Sequence, residues 1–233
     1  MTTDLELLHE ATQRLVRRVD GLPDAAWAAP SGLPEWTRAH VIAHLTLNAE
    51  GLAGALAGLA RGESVPMYAT QEARDSDIAG LAAERPAAVR QRCLASTSIF
   101  VQSVAGVPDD AWHQLVERVP GGRTFPASGA ITMRLREVEI HHADLDVGYT
   151  PDDWSSDFAV HVIEAMALRE TSESPFRVEA TDLARQWSFG DAADESAPTV
   201  NGSAARLAWW LTGRGTGQGL SSNDGVLPRI ETW

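Results

Sequence analysis

The stretch R-E-V-E-I-H-H-A-D, residues 136–144, decides how we expect this chain to fold and act. In a helix, Glu137 and His141 lie one turn apart on the same face, because residues four apart in sequence are neighbours there. A second stretch, W-T-R-A-H-V-I-A-H-L at residues 36–45, places His44 on another predicted helix. Two imidazoles and one carboxylate on facing helices form a three-ligand metal site with an open position, which is typical of catalytic metal sites.

Simpler interpretations of these residues exist. An E-x-x-x-H pair is also common as an exposed helix pair, and buried polar side chains can satisfy one another by hydrogen bonds. His40 lies four residues from His44 and could pair with it. We favour His44 as the ligand because it lies deeper in the apolar stretch, whereas His40 falls in the first turn of the helix. Polar residues at inner positions of two helices need partners, and a shared cation would provide them.

Helical periodicity extends outward from both motifs. It predicts one helix that ends near Gly21, a second from Thr37 to about Gly62, a third stretch over 70–105 and a fourth over 129–144. Pro86 interrupts the third stretch, so we expect a kink or two separate helices there.

The pattern of residue types in the sequence changes after about residue 147. Short β-like runs follow at 176–180, 186–189 and 198–200, between a helix over roughly 155–169 and a last helix that stops at Gly213. We therefore predict an α+β protein, with a metal-binding four-helix bundle over residues 1–148 followed by a small α+β domain over residues 149–233.

Composition excludes several classes of function. The net charge of −13 argues against nucleic acid as a partner, because phosphates would be repelled. The sequence has no apolar run of membrane-spanning length and no basic segment typical of a signal peptide at its start. Its single cysteine, Cys93, fits a reducing compartment, so we expect a cytoplasmic protein. All 19 basic residues are arginine, which leaves no lysine for Schiff-base chemistry.

Four segments of the chain resemble one known family, the mycothiol-dependent maleylpyruvate isomerases of the DinB-like four-helix superfamily. They occur in the family's order over nearly the whole length. They are G-L-P-E-W-T-R-A-H-V-I-A-H-L at 32–45, M-Y-A-T-Q-E-A-R-D-S-D-I at 67–78, R-E-V-E-I-H-H-A-D-L-D at 136–146 and A-W-W-L-T-G-R at 208–214.

The resemblance implies a divalent metal, with zinc as the expected ion, held by His44, Glu137 and His141. It also implies that Arg74 and Arg214 line the pocket, where a planar guanidinium suits carboxylates. Without it, Arg74 would be interpreted as part of a surface ion pair and Arg214 as a cation at a helix end. We expect the pocket to be lined from both domains, with Arg214 contributed by the second.

The implied reaction converts maleylpyruvate, a small dianion of gentisate-type aromatic degradation, to fumarylpyruvate. Cis–trans isomerisation needs temporary loss of the double bond, which a thiolate achieves by adding to it and leaving after rotation. Cys93 lies in a helical, partly apolar segment and is a poor nucleophile, so mycothiol is the expected external thiol.

Other functions remain open on the same scaffold, because a fold does not fix a function. One is a mycothiol S-transferase that acts on electrophiles. A second is a metal-dependent hydrolase, for which only Glu50 or Asp144 could serve as general base. A third is a non-catalytic sensor of a metal or small molecule.

Overall fold

The structure is a computed structural model that describes residues 2–169, 174–190 and 197–231. It divides into two compact units, Met1–Gly148 and Tyr149–Trp233. The first is helical and the second contains a mixed β-sheet with helices, which confirms the predicted α+β class. Among the described residues, no helix combines the length and the apolar character that crossing a membrane requires.

The described part of the first unit contains five α-helices, which is the arrangement expected if Pro86 divides the third predicted stretch into two helices. They are α1 (Thr2–Asp20), α2 (Arg38–Ala60), α3 (Gln71–Ala82), α4 (Pro86–Ala105) and α5 (Ala130–Asp144). The interruption at Pro86 produces two helices, because Arg85 is extended and proline occupies the first turn of α4, where its missing N–H costs nothing.

Helix α2 is the central element of the first unit. Its core side chains include Val41, Ile42, Leu45 and Leu52, each at most 1% exposed. It packs against α4 and α5, which explains why an apolar sequence surrounds its polar residues.

Hydrogen bonds show that α2 and α5 run antiparallel. The guanidinium of Arg38, at the start of α2, donates to the carbonyls of Leu145 and Asp146 just beyond the end of α5. Further along α2, the carbonyl of Leu45 accepts from Arg134, near the start of α5. His44 is therefore carried past the middle and end of α5, where Glu137 and His141 lie.

A short β-hairpin in the first unit was not predicted from the sequence. It consists of β1 (Leu115–Glu117) and β2 (Thr124–Pro126), which pair antiparallel. The backbone N–H groups of Met67 and Tyr68 donate to the carbonyls of Glu117 and Arg118, at 3.0 Å each. The hairpin thus fixes the segment that carries Tyr68 beside α2.

The helices and strands of the second unit, over its described residues, are α6 (Ser156–Ala167), β3 (Phe176–Ala180), β4 (Arg185–Phe189), β5 (Thr199–Gly202), α7 (Ala204–Leu211) and β6 (Ser221–Ser222). The four strands form one sheet with the order β4-β3-β5-β6. Strands β3 and β5 are parallel, and the other pairs are antiparallel. Along β3, Phe176, Val178 and Ala180 are fully buried, as expected for a strand with one face in the core.

Candidate metal centre

Three side chains from α2 and α5 place their donor atoms within 3.3 Å of one another. His44 Nε2 lies 2.8 Å from Glu137 Oε2 and 3.0 Å from His141 Nε2. His141 Nε2 lies 3.3 Å from Glu137 Oε2. Among the described residues this is the one group of at least three histidine, cysteine or acidic side chains close enough to hold a metal ion. The structure therefore brings together the three residues that the sequence predicts as ligands.

The donor set and its spacing fit a small divalent ion. A tetrahedral ion with bonds of about 2.0–2.1 Å holds neighbouring donor atoms about 3.3–3.4 Å apart. The three observed separations of 2.8, 3.0 and 3.3 Å need only a slight opening to match this geometry. Three protein donors leave a fourth position for another ligand, as in catalytic zinc sites. Their role as metal ligands remains a prediction that this geometry supports.

The imidazole of His141 is held by a buried carboxylate on its far side. Asp144 Oδ2 lies 2.8 Å from His141 Nδ1, and the Asp144 side chain is 1% exposed. A carboxylate bonded to the second nitrogen of a metal-binding histidine fixes the ring and makes it a better ligand. The backbone holds Asp144 in turn, because Gly32 N–H donates to the Asp144 carbonyl at 2.7 Å. A Cβ on Gly32 would lie 3.3 Å from that oxygen, so glycine allows this close contact.

Burial and neighbouring charges favour a neutral imidazole at His44 and an ionised carboxylate at Glu137, but the contact from Arg74 to His44 Nδ1 leaves the proton of the neutral ring on Nε2, where an ion must displace it. Burial lowers the pKa of His44 to about 4, against the raising effect of Glu137, so this imidazole is neutral near pH 7. Burial alone would raise the pKa of Glu137, but His44 and His141 hold it well below its usual value. Burial likewise opposes the charged form of His141, but hydrogen bonds to Asp144 and Glu137 raise its pKa. An ion must displace any proton on His141.

His40 takes part in the helix cap instead of the ligand cluster. The Thr37 side chain accepts from the backbone N–H of His40, and His40 Nδ1 lies 3.3 Å from the backbone nitrogen of Thr37. This reciprocal capping box occupies one ring nitrogen of His40. The Trp36 ring lies near both histidines, with ring centroids 6.2 Å from His40 and 5.7 Å from His44. The geometry thus agrees with the choice of His44.

Arg74 reaches the centre from α3. Its Nη2 lies 3.0 Å from His44 Nδ1, and its Nη1 donates to Asp75 at 2.7 Å. The side chain of Arg74 is only 14% exposed, while that of Asp75 is 56% exposed. The ion pair with Asp75 therefore explains only Nη1 of Arg74. Its Nη2 contacts His44, a predicted metal ligand.

Tyr68 and Arg118 are residues of the site that sequence reasoning missed. The guanidinium carbons of Arg74 and Arg118 each lie 5.7 Å from the centre of the Tyr68 ring. Burial raises the pKa of Tyr68, as does the nearby Glu137 carboxylate, so its hydroxyl stays protonated at neutral pH. Tyr68 falls in a loop with no periodic pattern, and its only sequence signal was its place in the segment that also carries Arg74.

Arg214 lies in the second unit, just after α7. It is 8% exposed, its guanidinium carbon lies 5.7 Å from the Trp209 ring, and its Nη1 donates to the Thr212 carbonyl at 3.4 Å. These contacts show a buried arginine at a helix end. Its predicted role in a substrate pocket remains a prediction.

A family model for the mycothiol maleylpyruvate isomerase N-terminal domain matches residues 8–146. The chain belongs to this family. The matched range contains His44, Glu137, His141 and Arg74, so the cluster lies inside the domain that defines the family.

Two solved structures resemble the whole chain. One is a crystal structure of the mycothiol-dependent maleylpyruvate isomerase, with a TM-score of 0.90 and 28% sequence identity. The other is a variant of the mycothiol-dependent maleylpyruvate isomerase in which one histidine is replaced by alanine, with a TM-score of 0.90 and 27% identity. Each match covers 100% of this chain and 96% of the other. No curated protein matches the chain.

Proposed function

We propose that this member of the mycothiol maleylpyruvate isomerase family is a thiol-dependent, metal-containing cis–trans isomerase that converts maleylpyruvate to fumarylpyruvate. The observation that carries the proposal is the cluster of His44, Glu137 and His141, whose donor atoms lie within 3.3 Å of one another inside a family-type helical domain. The full-length likeness to the mycothiol-dependent maleylpyruvate isomerase supports the choice of substrate and thiol.

The chain's own nucleophiles do not suit the addition step, which supports an external thiol. Cys93 is 1% exposed, and burial raises its pKa, so it remains a protonated thiol inside the bundle. The sequence contains no lysine. A low-molecular-weight thiol such as mycothiol would supply the sulfur that adds to the alkene and leaves again after rotation.

His44, Glu137 and His141 would hold the metal. When bound, a divalent ion at this centre supplies a Lewis acid that keeps a thiol ionised near neutral pH or polarises a carbonyl. The chain's own contribution would be to fix the His141 imidazole through Asp144 and to hold the three donor atoms together by the packing of α2 on α5.

Arg74 and Arg118 give the site local positive charge. The protein carries a net charge of −13, which would repel a dianionic substrate unless cations lie near the centre. Two guanidinium groups flank Tyr68, and one of them also contacts His44. We assign Arg74 to binding a substrate carboxylate, which would replace its contact with the exposed Asp75. We assign Arg214 to the second substrate carboxylate.

The hydrolase alternative is not favoured by the contacts of its two candidate bases. Asp144 is bonded to His141 Nδ1, on the side of the ring away from the cluster. Glu50 forms a two-bond ion pair with Arg92, at 2.8 Å for each bond. Neither carboxylate is left to activate a metal-bound water.

Steady-state turnover of maleylpyruvate tests the proposal. Metal-loaded protein should form fumarylpyruvate when mycothiol is present and show no turnover without thiol, and a Glu137→Gln variant should lose both metal and activity. Turnover of other electrophiles with mycothiol, but not of maleylpyruvate, would instead identify an S-transferase. Metal-dependent turnover without any thiol would contradict a thiol mechanism, and metal binding without turnover of any substrate would indicate a sensor.

A further inference from the structure

A cavity of about 310 Å³ lies next to the metal centre, entirely within the first unit. Its walls come from α2, α3, α4 and the segment that carries Tyr68. Arg74 and Tyr68 line the cavity and also border the cluster, since Arg74 contacts His44 and the Tyr68 hydroxyl interacts with Arg74. A ligand in this cavity would therefore be separated from the cluster by one layer of side chains.

The cavity depends on a close contact between α2 and the loop that covers it. A Cβ added to Gly51 would lie 2.9 Å from the carbonyl oxygen of Met67, which is too close for any residue except glycine. Hydrogen bonds from Met67 and Tyr68 to the hairpin hold the same loop on its other side. This part of the cavity wall is thus held from both sides.

The charges that line the cavity are balanced. Two guanidinium groups, of Arg74 and Arg92, face two carboxylates, of Glu50 and Asp77. Because these formal charges sum to zero, the lining has no net positive charge to attract a small dianion. The guanidinium groups donate hydrogen bonds and the carboxylates accept them. Such a lining suits a neutral ligand that is rich in hydroxyl and amide groups.

The four charged groups differ in whether they already have hydrogen-bond or ion-pair partners within the protein. Glu50 and Arg92 bond to each other through two parallel hydrogen bonds of 2.8 Å, which fixes both side chains. In the part of the chain that the structure describes, the Asp77 carboxylate accepts no hydrogen bond and forms no ion pair. Of the two lining carboxylates, the exposed Asp77 is therefore the one that is available to a ligand.

We propose that this cavity binds the polyhydroxylated body of the thiol cofactor, with Asp77 accepting hydrogen bonds from its hydroxyl groups. Its volume is at the lower end of the range of about 300–1,000 Å³ for small-molecule sites. Binding there would direct the sulfur past Arg74 and Tyr68 towards the cluster. The inference rests on the proposed function in one respect, because it requires that the protein uses a polyhydroxylated thiol such as mycothiol.

The test compares two thiols on metal-loaded, full-length protein. Mycothiol carries its cysteine on a sugar–polyol body, and N-acetylcysteine presents the same sulfur without it. Affinity is measured by calorimetry, and the KM for each thiol is measured wherever turnover occurs.

Asp77→Ala removes the acceptor, and Ala73→Phe fills the cavity from α3. Glu72→Ala is the matched control, since it removes an exposed carboxylate of α3 that does not line the cavity.

Asp77→Ala should weaken mycothiol binding about tenfold, as expected for losing hydrogen bonds to a charged acceptor. Ala73→Phe should weaken it further. N-acetylcysteine affinity in Asp77→Ala, metal content in all variants and every property of Glu72→Ala should match the wild type. Wild-type mycothiol affinity in both cavity variants overturns the inference, as does an equal loss for the two thiols in Asp77→Ala or no mycothiol binding at all.

The two proposals can fail separately. Binding of mycothiol that depends on Asp77, without turnover of maleylpyruvate, would support the cavity assignment and contradict the proposed reaction. Turnover with an unchanged KM for mycothiol in both cavity variants would support the reaction and contradict the cavity assignment.

Discussion

Asp144 Oδ2 lies 2.8 Å from His141 Nδ1, and both side chains are buried. Because an ionised carboxylate can only accept, Nδ1 carries the proton of the neutral imidazole. The lone pair of His141 is then at Nε2, the nitrogen that faces His44 and Glu137. One contact within the last turn of α5 thus sets the tautomer that a metal requires.

Asp144→Asn should lower the affinity for zinc about 10- to 100-fold, as is usual when the partner of a metal-binding histidine is altered. Competition with a chromophoric chelator measures this affinity. Glu139→Gln is the control, because Glu139 is also a buried carboxylate of α5 but accepts from Arg14 at 2.6 Å instead of contacting His141. Equal zinc affinity in wild type and Asp144→Asn would contradict the role of Asp144.

The two histidines of α2 should respond differently to replacement. His44→Ala should abolish stoichiometric metal binding, because it removes one of three donors. His40→Ala should retain the metal and lose about 0.5–2 kcal/mol of stability, since its contacts are those of the helix cap. Metal content by elemental analysis and thermal unfolding of both variants check this. Retained metal in His44→Ala together with loss in His40→Ala would reverse the ligand assignment.

Cys93→Ala should keep most of its thiol-dependent activity and lose about 1 kcal/mol of stability through a small cavity. The stability difference should shrink at alkaline pH. Burial raises the pKa of Cys93 in the folded protein, so above the ordinary thiol pKa the unfolded chain releases a proton that the folded chain keeps. Ionisation then stabilises the unfolded wild type, but it cannot affect the alanine variant.

Denaturant unfolding of both proteins at pH 7 and about pH 10 measures this change. A folded Cys93→Ala protein that has lost all activity would make Cys93 the nucleophile and overturn the external-thiol mechanism.

Arg214→Lys keeps the charge but loses the planar fork, so it should lower turnover while metal content stays unchanged. Arg214→Ala should cost more, about 2–3 kcal/mol of transition-state stabilisation if the arginine contacts the substrate. If Arg214 serves only as a cation at the end of α7, both variants should instead show a small stability loss and near-normal kinetics. Thermal stability and kcat/KM of the two variants distinguish these outcomes.

Elements with a strong local pattern could be predicted from the sequence. Helix α5 was expected over 129–144 and is observed over Ala130–Asp144. Strand β3 was expected and is observed over Phe176–Ala180. The hairpin of β1 and β2 could not be predicted, because three-residue strands have no period to detect and this pair is supported by bonds to a distant loop.

By itself, the sequence determined that Glu137 and His141 share one face of a helix, because the helical repeat brings residues four apart together whatever surrounds them. Its ordered motifs also indicated the family. Only the tertiary structure decided which histidine of α2 meets that pair, since the antiparallel packing of α2 on α5 places His44 opposite Glu137 while the helix cap occupies His40. It also decided that Arg74 and Tyr68 border the centre. Contacts between separate elements depend on packing, which local spacing does not encode.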